Sequence, residues 1–188
     1  MSLLQALLTF AFMFMMWVSL SYKLQQSIRK TDLVDGEVER IFICSNEGEP
    51  MHELKSVMVI EQLGLEGDRY AGERGAWSKS RRKVIRQVSL IEAEAINTAN
   101  IGLVNPFLPS ETRRNIVVKN FPLNDFVGKE FRIGNVRMRG VELCDPCQRP
   151  SKLCGKFGFE KLFLGYGGLR AEILNSGQIS IGDIVAAR

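Results

Sequence analysis

The sequence predicts a mainly β protein: a β-barrel or closed sheet with a few short peripheral helices, plus an N-terminal hydrophobic helix. Three observations lead there. From Gly36 onward, short apolar or alternating runs are separated by glycine-bearing turns. Helical periodicity is scarce in the same region. Residues 3–22 form a separate stretch without a single charge.

The elements follow in order. A helix needs roughly 20 mainly apolar residues to cross a bilayer. Leu3 to Tyr22 reaches that length, and Lys23, Arg29 and Lys30 flank its C-terminal end. Positive charge stays on the cytoplasmic side, so residues 1–22 read as a transmembrane anchor with the domain facing the cytosol. No basic n-region or small-residue cleavage site marks a signal peptide. The alternative is a misassigned start in front of a soluble cytoplasmic protein. Residues 23–35 are a polar linker, and the domain occupies 36–188.

Val38 to Ile43 alternates and then runs apolar, a strand. Met51 to Glu61 holds another, centred on Val57 to Ile60. Gly64 to Asp68 is a turn. Residues 70–83 form a polar loop with a basic run from Lys79 to Lys83. That run reads as a solvated face or a steering patch for an anion. Val84 to Leu90 is a strand, and Ser89 with Glu92 forms an S-x-x-E box ahead of a helix over Ile91 to Thr98. Ile116 to Val118 is a strand. Lys129 to Ile133 and Val136 to Leu143 are strands joined at Gly134-Asn135, a hairpin signal. A short helix is expected within Phe157 to Leu164, a helix or strand after Gly167-Gly168, and a closing strand at Ile184-Val185.

Charge narrows the function classes. Lys and Arg number 25 against 21 Asp and Glu, a net charge of +4. That mild excess suits an anionic ligand. No long basic run is interleaved with aromatics, so no nucleic acid polymer is expected as a partner. The chain has one histidine, His52, which argues against Ser-His-Asp or Cys-His catalysis. No Walker loop, G-x-G-x-x-G or metalloprotease pair is present.

Four cysteines stand at 44, 144, 147 and 154. Their spacing is poor for a disulfide framework, which favours a reducing compartment and functional thiols. In Cys144-Asp145-Pro146-Cys147, two thiols follow a strand, and Pro146 fixes a tight turn between them. Thiolates are soft ligands and good nucleophiles. C-x2-C-x6-C supplies three legs of a zinc or iron–sulfur site, with Cys44 or His52 left as the fourth. Arg113, Arg114 and Asn115 open a strand: guanidinium forks suit phosphate, and an Asn amide suits a ring edge. The alternative is a solvated charge pair. Asp68 and Arg69 follow a glycine turn, where the carboxylate braces the loop. Arg170 follows two glycines, where backbone N–H groups and a guanidinium can cradle an anion; otherwise it is a surface arginine at a turn.

Six segments together resemble the MOSC domain, named for the C-terminal domain of molybdenum cofactor sulfurases. They are GLEGDRYAG (64–72), RQVSLIEAEAI (86–96), TRRNIVV (112–118), GVELCDPC (140–147), GGLRAEIL (167–174) and GQISIGDIV (177–185). The resemblance covers about residues 36–187 and is closest to the stand-alone bacterial type that reduces N-hydroxylated bases. It implies a MOSC-type β-barrel, a molybdenum cofactor (molybdopterin), and Cys147 of the Pro146-Cys147 pair as metal ligand and catalytic residue. It implies cofactor binding by Arg113, Arg114, Asn115, Asp68, Arg69 and Arg170. At family level it also carries an association with pyridoxal phosphate binding. The implied activity is reduction of a small-molecule substrate, a hydroxylamine or hydroxylaminopurine, to the amine. Without a flavin or nicotinamide motif, an electron-donating reductase is the implied partner. Other readings are a carrier of the cofactor, or of sulfur as a Cys147 persulfide, and a structural zinc domain. The bacterial relatives lack the apolar segment. The mitochondrial amidoxime-reducing relatives are anchored and cytosol-facing, with a further N-terminal domain for which this chain has no room.

Overall fold

The computed structural model describes residues 35–76, 78 and 85–187. The expected N-terminal helix and anchor (3–22), the linker (23–35) up to residue 34, and the basic run from Lys79 to Lys83 lie outside the described residues. Among the described residues, no helix is long and apolar enough to cross a membrane.

Eleven strands are present among the described residues: β1 (Gly36–Ile43), β2 (His52–Leu54), β3 (Ser56–Ile60), β4 (Gly64–Leu65), β5 (Val88–Glu92), β6 (Ile116–Lys119), β7 (Glu130–Ile133), β8 (Val136–Leu143), β9 (Leu169–Ile173), β10 (Gly177–Ser180) and β11 (Ile184–Ala187). Helix α1 (Ala93–Ala99) joins β5 to β6, and α2 (Arg149–Cys154) and α3 (Phe159–Leu162) lie between β8 and β9. Seven strands close a ring in the order β11-β7-β8-β9-β5-β6-β1, with β1 pairing back onto β11. Closure removes the exposed edges an open sheet would leave. Strand β2 extends from β1, and β10-β3-β4 form a small second sheet. Within the ring only β5–β6 is parallel. A parallel pair needs a crossover, and α1 supplies it.

The core has two parts, and strand patterning explains them. Val38, Ile41, Leu90, Ile116, Val118, Met138, Leu169 and Ile173 face the barrel interior. Phe42, Ile91 and Val117 point outward into a second cluster with Ala95, Ile96, Phe107, Phe159 and Phe163. Strands β1, β5 and β6 are therefore covered on both faces, which is why Ile116-Val117-Val118 and Leu90-Ile91 read as continuous apolar runs. Phe107 meets Phe159 and Phe163 edge-on, with centroids 5.5 and 6.0 Å apart.

Several expectations need correction. The S-x-x-E box does not form. Ser89 lies inside β5, and α1 begins only at Ala93, with no side-chain cap at Glu92. Long-range pairing took Ser89: its hydroxyl donates to Asn115 Oδ1 at 2.8 Å. Glu92 instead accepts the Leu123 backbone N–H at 2.8 Å. Of the two alternatives left open after Gly167-Gly168, helix or strand, the segment is a strand. Helix α2, just after Cys147, was not expected; Pro150 sits in its first turn and Gly155 ends it in the left-handed conformation. The Gly134 hairpin joins β7 to β8 as expected.

Candidate active site

Five loops meet outside the barrel wall and enclose a cleft of about 740 Å³, its open mouth included. They are the β1–β2 loop at Glu47 and Gly48, the turn after β4, the entry to β5, the Arg113–Asn115 entry to β6, and the Cys144–Pro150 segment, with Arg170 of β9 beside them.

The foundation is Asp68, which is 1 % exposed. Its Oδ2 accepts from Cys44 N at 3.2 Å, Arg69 Nη1 at 3.3 Å and Asn115 Nδ2 at 3.1 Å. Its Oδ1 accepts from Tyr70 N at 3.0 Å. One carboxylate thus ties the end of β1, the glycine turn and the entry to β6. Asn115 extends the tie. Its Nδ2 also donates to Phe42 O at 3.2 Å, and its Oδ1 accepts from the backbone and hydroxyl of Ser89. With two donors and two acceptor places engaged, the amide is occupied within the protein. Asp68 does not line the cleft; Asn115 does, with its amide turned into this network.

The arginines are held in different ways. Arg69 is buried, paired with Asp68, and its guanidinium lies 5.0 Å from the Tyr70 ring centroid. Arg113 takes a left-handed φ of 65° at the end of the 3-10 turn Pro109–Thr112. It donates to Glu49 O and, at 3.3 Å, to the buried Cys44 Sγ. Burial, and then the neighbouring Arg69 charge, push the Arg113 pKa below arginine's ordinary value. An anion in the cleft would relieve that crowding. Arg114 donates from Nε to Gly167 O at 2.7 Å and from Nη1 to Thr112 O at 3.2 Å. Carbonyls aim these two guanidiniums without neutralising them. Arg170 pairs with Glu142, beside the bulge between Gly140 and Glu142 in β8; bulges re-aim side chains in this way.

The thiols separate clearly. Cys147 is exposed and lines the cleft, whereas Cys144 is buried at its wall. Two glycines make the wall possible. A Cβ on Gly167 would strike Cys144 O, and one on Gly168, at φ +99°, would strike Leu90 O. Cys154 is half-buried on α2 and Cys44 lies under Arg113. Among the described residues no three His, Cys, Asp or Glu side chains gather to hold a metal. The C-x2-C-x6-C run is therefore not gathered into a zinc or iron–sulfur triad among the described residues; Cys154 lies in α2, and His52 stands exposed on β2.

Of the residues singled out from sequence, Arg69, Arg113, Arg114, Asn115, Cys147 and Arg170 line one cleft and Asp68 supports it. Sequence reasoning missed Arg86 and Arg149, which also line it. Arg149 pairs with Glu47 at 2.7 Å. Arg86 opens the RQVSLIEAEAI segment, and Arg149 lies two residues past Cys147; proximity to those motifs was the only available signal.

The model of the MOSC domain family matches residues 77–186. Among curated proteins no sequence matches the chain. Solved structures share the fold. The YUAD protein from Bacillus subtilis superposes with a TM-score of 0.68 at 18% identity, covering 81% of this chain and 94% of that one. YiiM from Geobacillus stearothermophilus gives 0.60 at 13% identity, covering 81% and 75%. YiiM from Escherichia coli gives 0.60 at 15% identity, covering 82% and 70%. With a barrel in common and a family model spanning more than half its length, the chain belongs to the MOSC domain family.

Proposed function

We propose that the cleft holds a molybdenum cofactor and that the protein reduces N-hydroxylated small molecules to amines. One observation carries the reading: the exposed Cys147 thiol shares a cleft with Arg113 and Arg114, two guanidiniums that are aimed by carbonyls and, among the described residues, paired with no carboxylate. This donor set suits the group. A soft thiolate matches a metal already ligated by sulfur, and the two arginine forks match a phosphate.

Cys147 would be the protein's ligand to the metal, and Arg113 and Arg114 would fasten the cofactor phosphate. Arg69 and Arg170, each already charge-paired, would supply donors along the cleft wall. Asp68 and Asn115 would act beneath the site by fixing the loops rather than by touching the ligand. When bound, the cofactor would supply the two-electron couple for the reduction. Overall, a hydroxylamine takes up two electrons and two protons, its N–O bond breaks, and amine and water leave. The electrons come from a separate reductase.

The test uses the purified full chain. Molybdenum content is measured by elemental analysis, and reduction of a hydroxylamine is followed with a chemical electron donor. Cys147→Ala should remove the molybdenum-dependent reduction while leaving the melting temperature close to that of the parent, because the side chain is exposed. Full activity in that variant would sink the reading. Molybdenum without turnover would point to the carrier role instead.

A further inference from the structure

We propose that Arg86 is the recognition residue for an anionic group on the substrate, so that the preferred substrate is an N-hydroxylated compound bearing a phosphate, such as a nucleotide, rather than the neutral base. The proposal rests on the cofactor reading above and deepens it. Among the described residues six arginines line the cleft, against two lining carboxylates, Glu47 and Asp145. Three of the six are charge-paired: Arg69 with Asp68, Arg149 with Glu47, Arg170 with Glu142. Arg113 and Arg114 are aimed by backbone carbonyls and suffice for one phosphate. Arg86 is left over.

Its situation differs from theirs. Arg86 comes from a different strand entry, ahead of β5, beside the parallel entry to β6 that carries Arg113 and Arg114. Its Nε is buried, and among the described residues that atom has no hydrogen-bond partner. A buried guanidinium N–H without an acceptor is costly in a folded protein. The atom lies in a residue that lines the cleft, so a ligand oxygen is the natural acceptor. A cationic fork with an unfilled donor selects an oxyanion over a neutral group. The cofactor phosphate is already provided for, which leaves the substrate to bring a second one.

Binding of an N-hydroxylated purine nucleoside and of its 5′-monophosphate to the full-length protein as purified is compared by calorimetry. Molybdenum and pterin content are measured on the same preparations. The wild type should bind the monophosphate on the order of tenfold or more tightly than the nucleoside, the scale of one charge-assisted contact. Arg86→Gln should erase that preference, Arg86→Lys should restore part of it, and both should keep the parent's cofactor content. Unliganded Arg86→Gln should melt no lower than the parent, because it removes an unpaired donor rather than a bond. Equal binding of nucleoside and monophosphate by the wild type would overturn the proposal. Loss of molybdenum and pterin in Arg86→Gln would overturn it too, assigning Arg86 to the cofactor. Absence of molybdenum from the wild type would instead fail the cofactor reading, a separate result.

Discussion

Replacing Asp68 by alanine should damage the protein more than any other single change in the site. The carboxylate is 1 % exposed and accepts from Cys44 N, Tyr70 N, Arg69 and Asn115. Its loss leaves the Arg69 guanidinium, itself only 6 % exposed, without its counter-charge. Breaking a buried pair from one side costs about 3–5 kcal/mol. For a domain of this size each kcal/mol lowers Tm by about 2–4 °C, so Asp68→Ala should melt roughly 6–20 °C below the parent. Thermal unfolding followed by circular dichroism reads this directly. The double variant Asp68→Ala/Arg69→Met separates charge from packing. It removes the stranded cation and should recover a substantial part of the loss. The reasoning is refuted if Asp68→Ala costs less than about 1 kcal/mol, the scale of an exposed pair, or if the double variant is no more stable than Asp68→Ala.

Two further outcomes follow from the same structure. Glu92 has a raised pKa, chiefly because burial disfavours its charge and then because Glu94 and Asp125 lie near, while the Leu123 N–H works in the other direction. Its folded-state pKa lies above the unfolded value, so ionising it costs stability as pH rises through that interval. Glu92→Gln should therefore gain stability relative to the parent at neutral pH, and the gain should vanish below the unfolded pKa; urea titrations at pH 7 and pH 4 that show the same difference would contradict this. Gly168→Ala combines a φ of +99° with a collision against Leu90 O, and should cost about 3 kcal/mol or more. Gly102→Ala, at φ +76° with open space around it, should cost only about 1–2 kcal/mol, and equal losses in urea unfolding would show that the collision is relieved.

Much of the barrel was legible because strand signals are local. Alternation and apolar runs marked β1, β3, β6, β7 and β8, and Gly134-Asn135 marked their clearest hairpin. Helices were read less well. Ser89 and Glu92 carry a valid local capping pattern, yet Ser89 bonds Asn115, 26 residues away, and Glu92 bonds Leu123, 31 residues away. Helix α2 has six residues, too short for periodicity to show.

The sequence by itself determined a β-rich domain, a thiol at Cys147 on a Pro-fixed turn, a cationic pair at Arg113 and Arg114, and an uncharged stretch over residues 3–22. It could not determine which of these share a cleft. The parallel pairing of β5 with β6 and the antiparallel pairing of β9 with both β5 and β8 decided that, by bringing Arg86, Arg114, Cys147 and Arg170 together. Only the tertiary structure turned Asp68 and Asn115 into a buried tie between loops and left Arg86 with an N–H that is unpaired among the described residues. The reason is physical: periodicity along a strand fixes which face a side chain takes, whereas its neighbour on that face is set by register between strands distant in the chain.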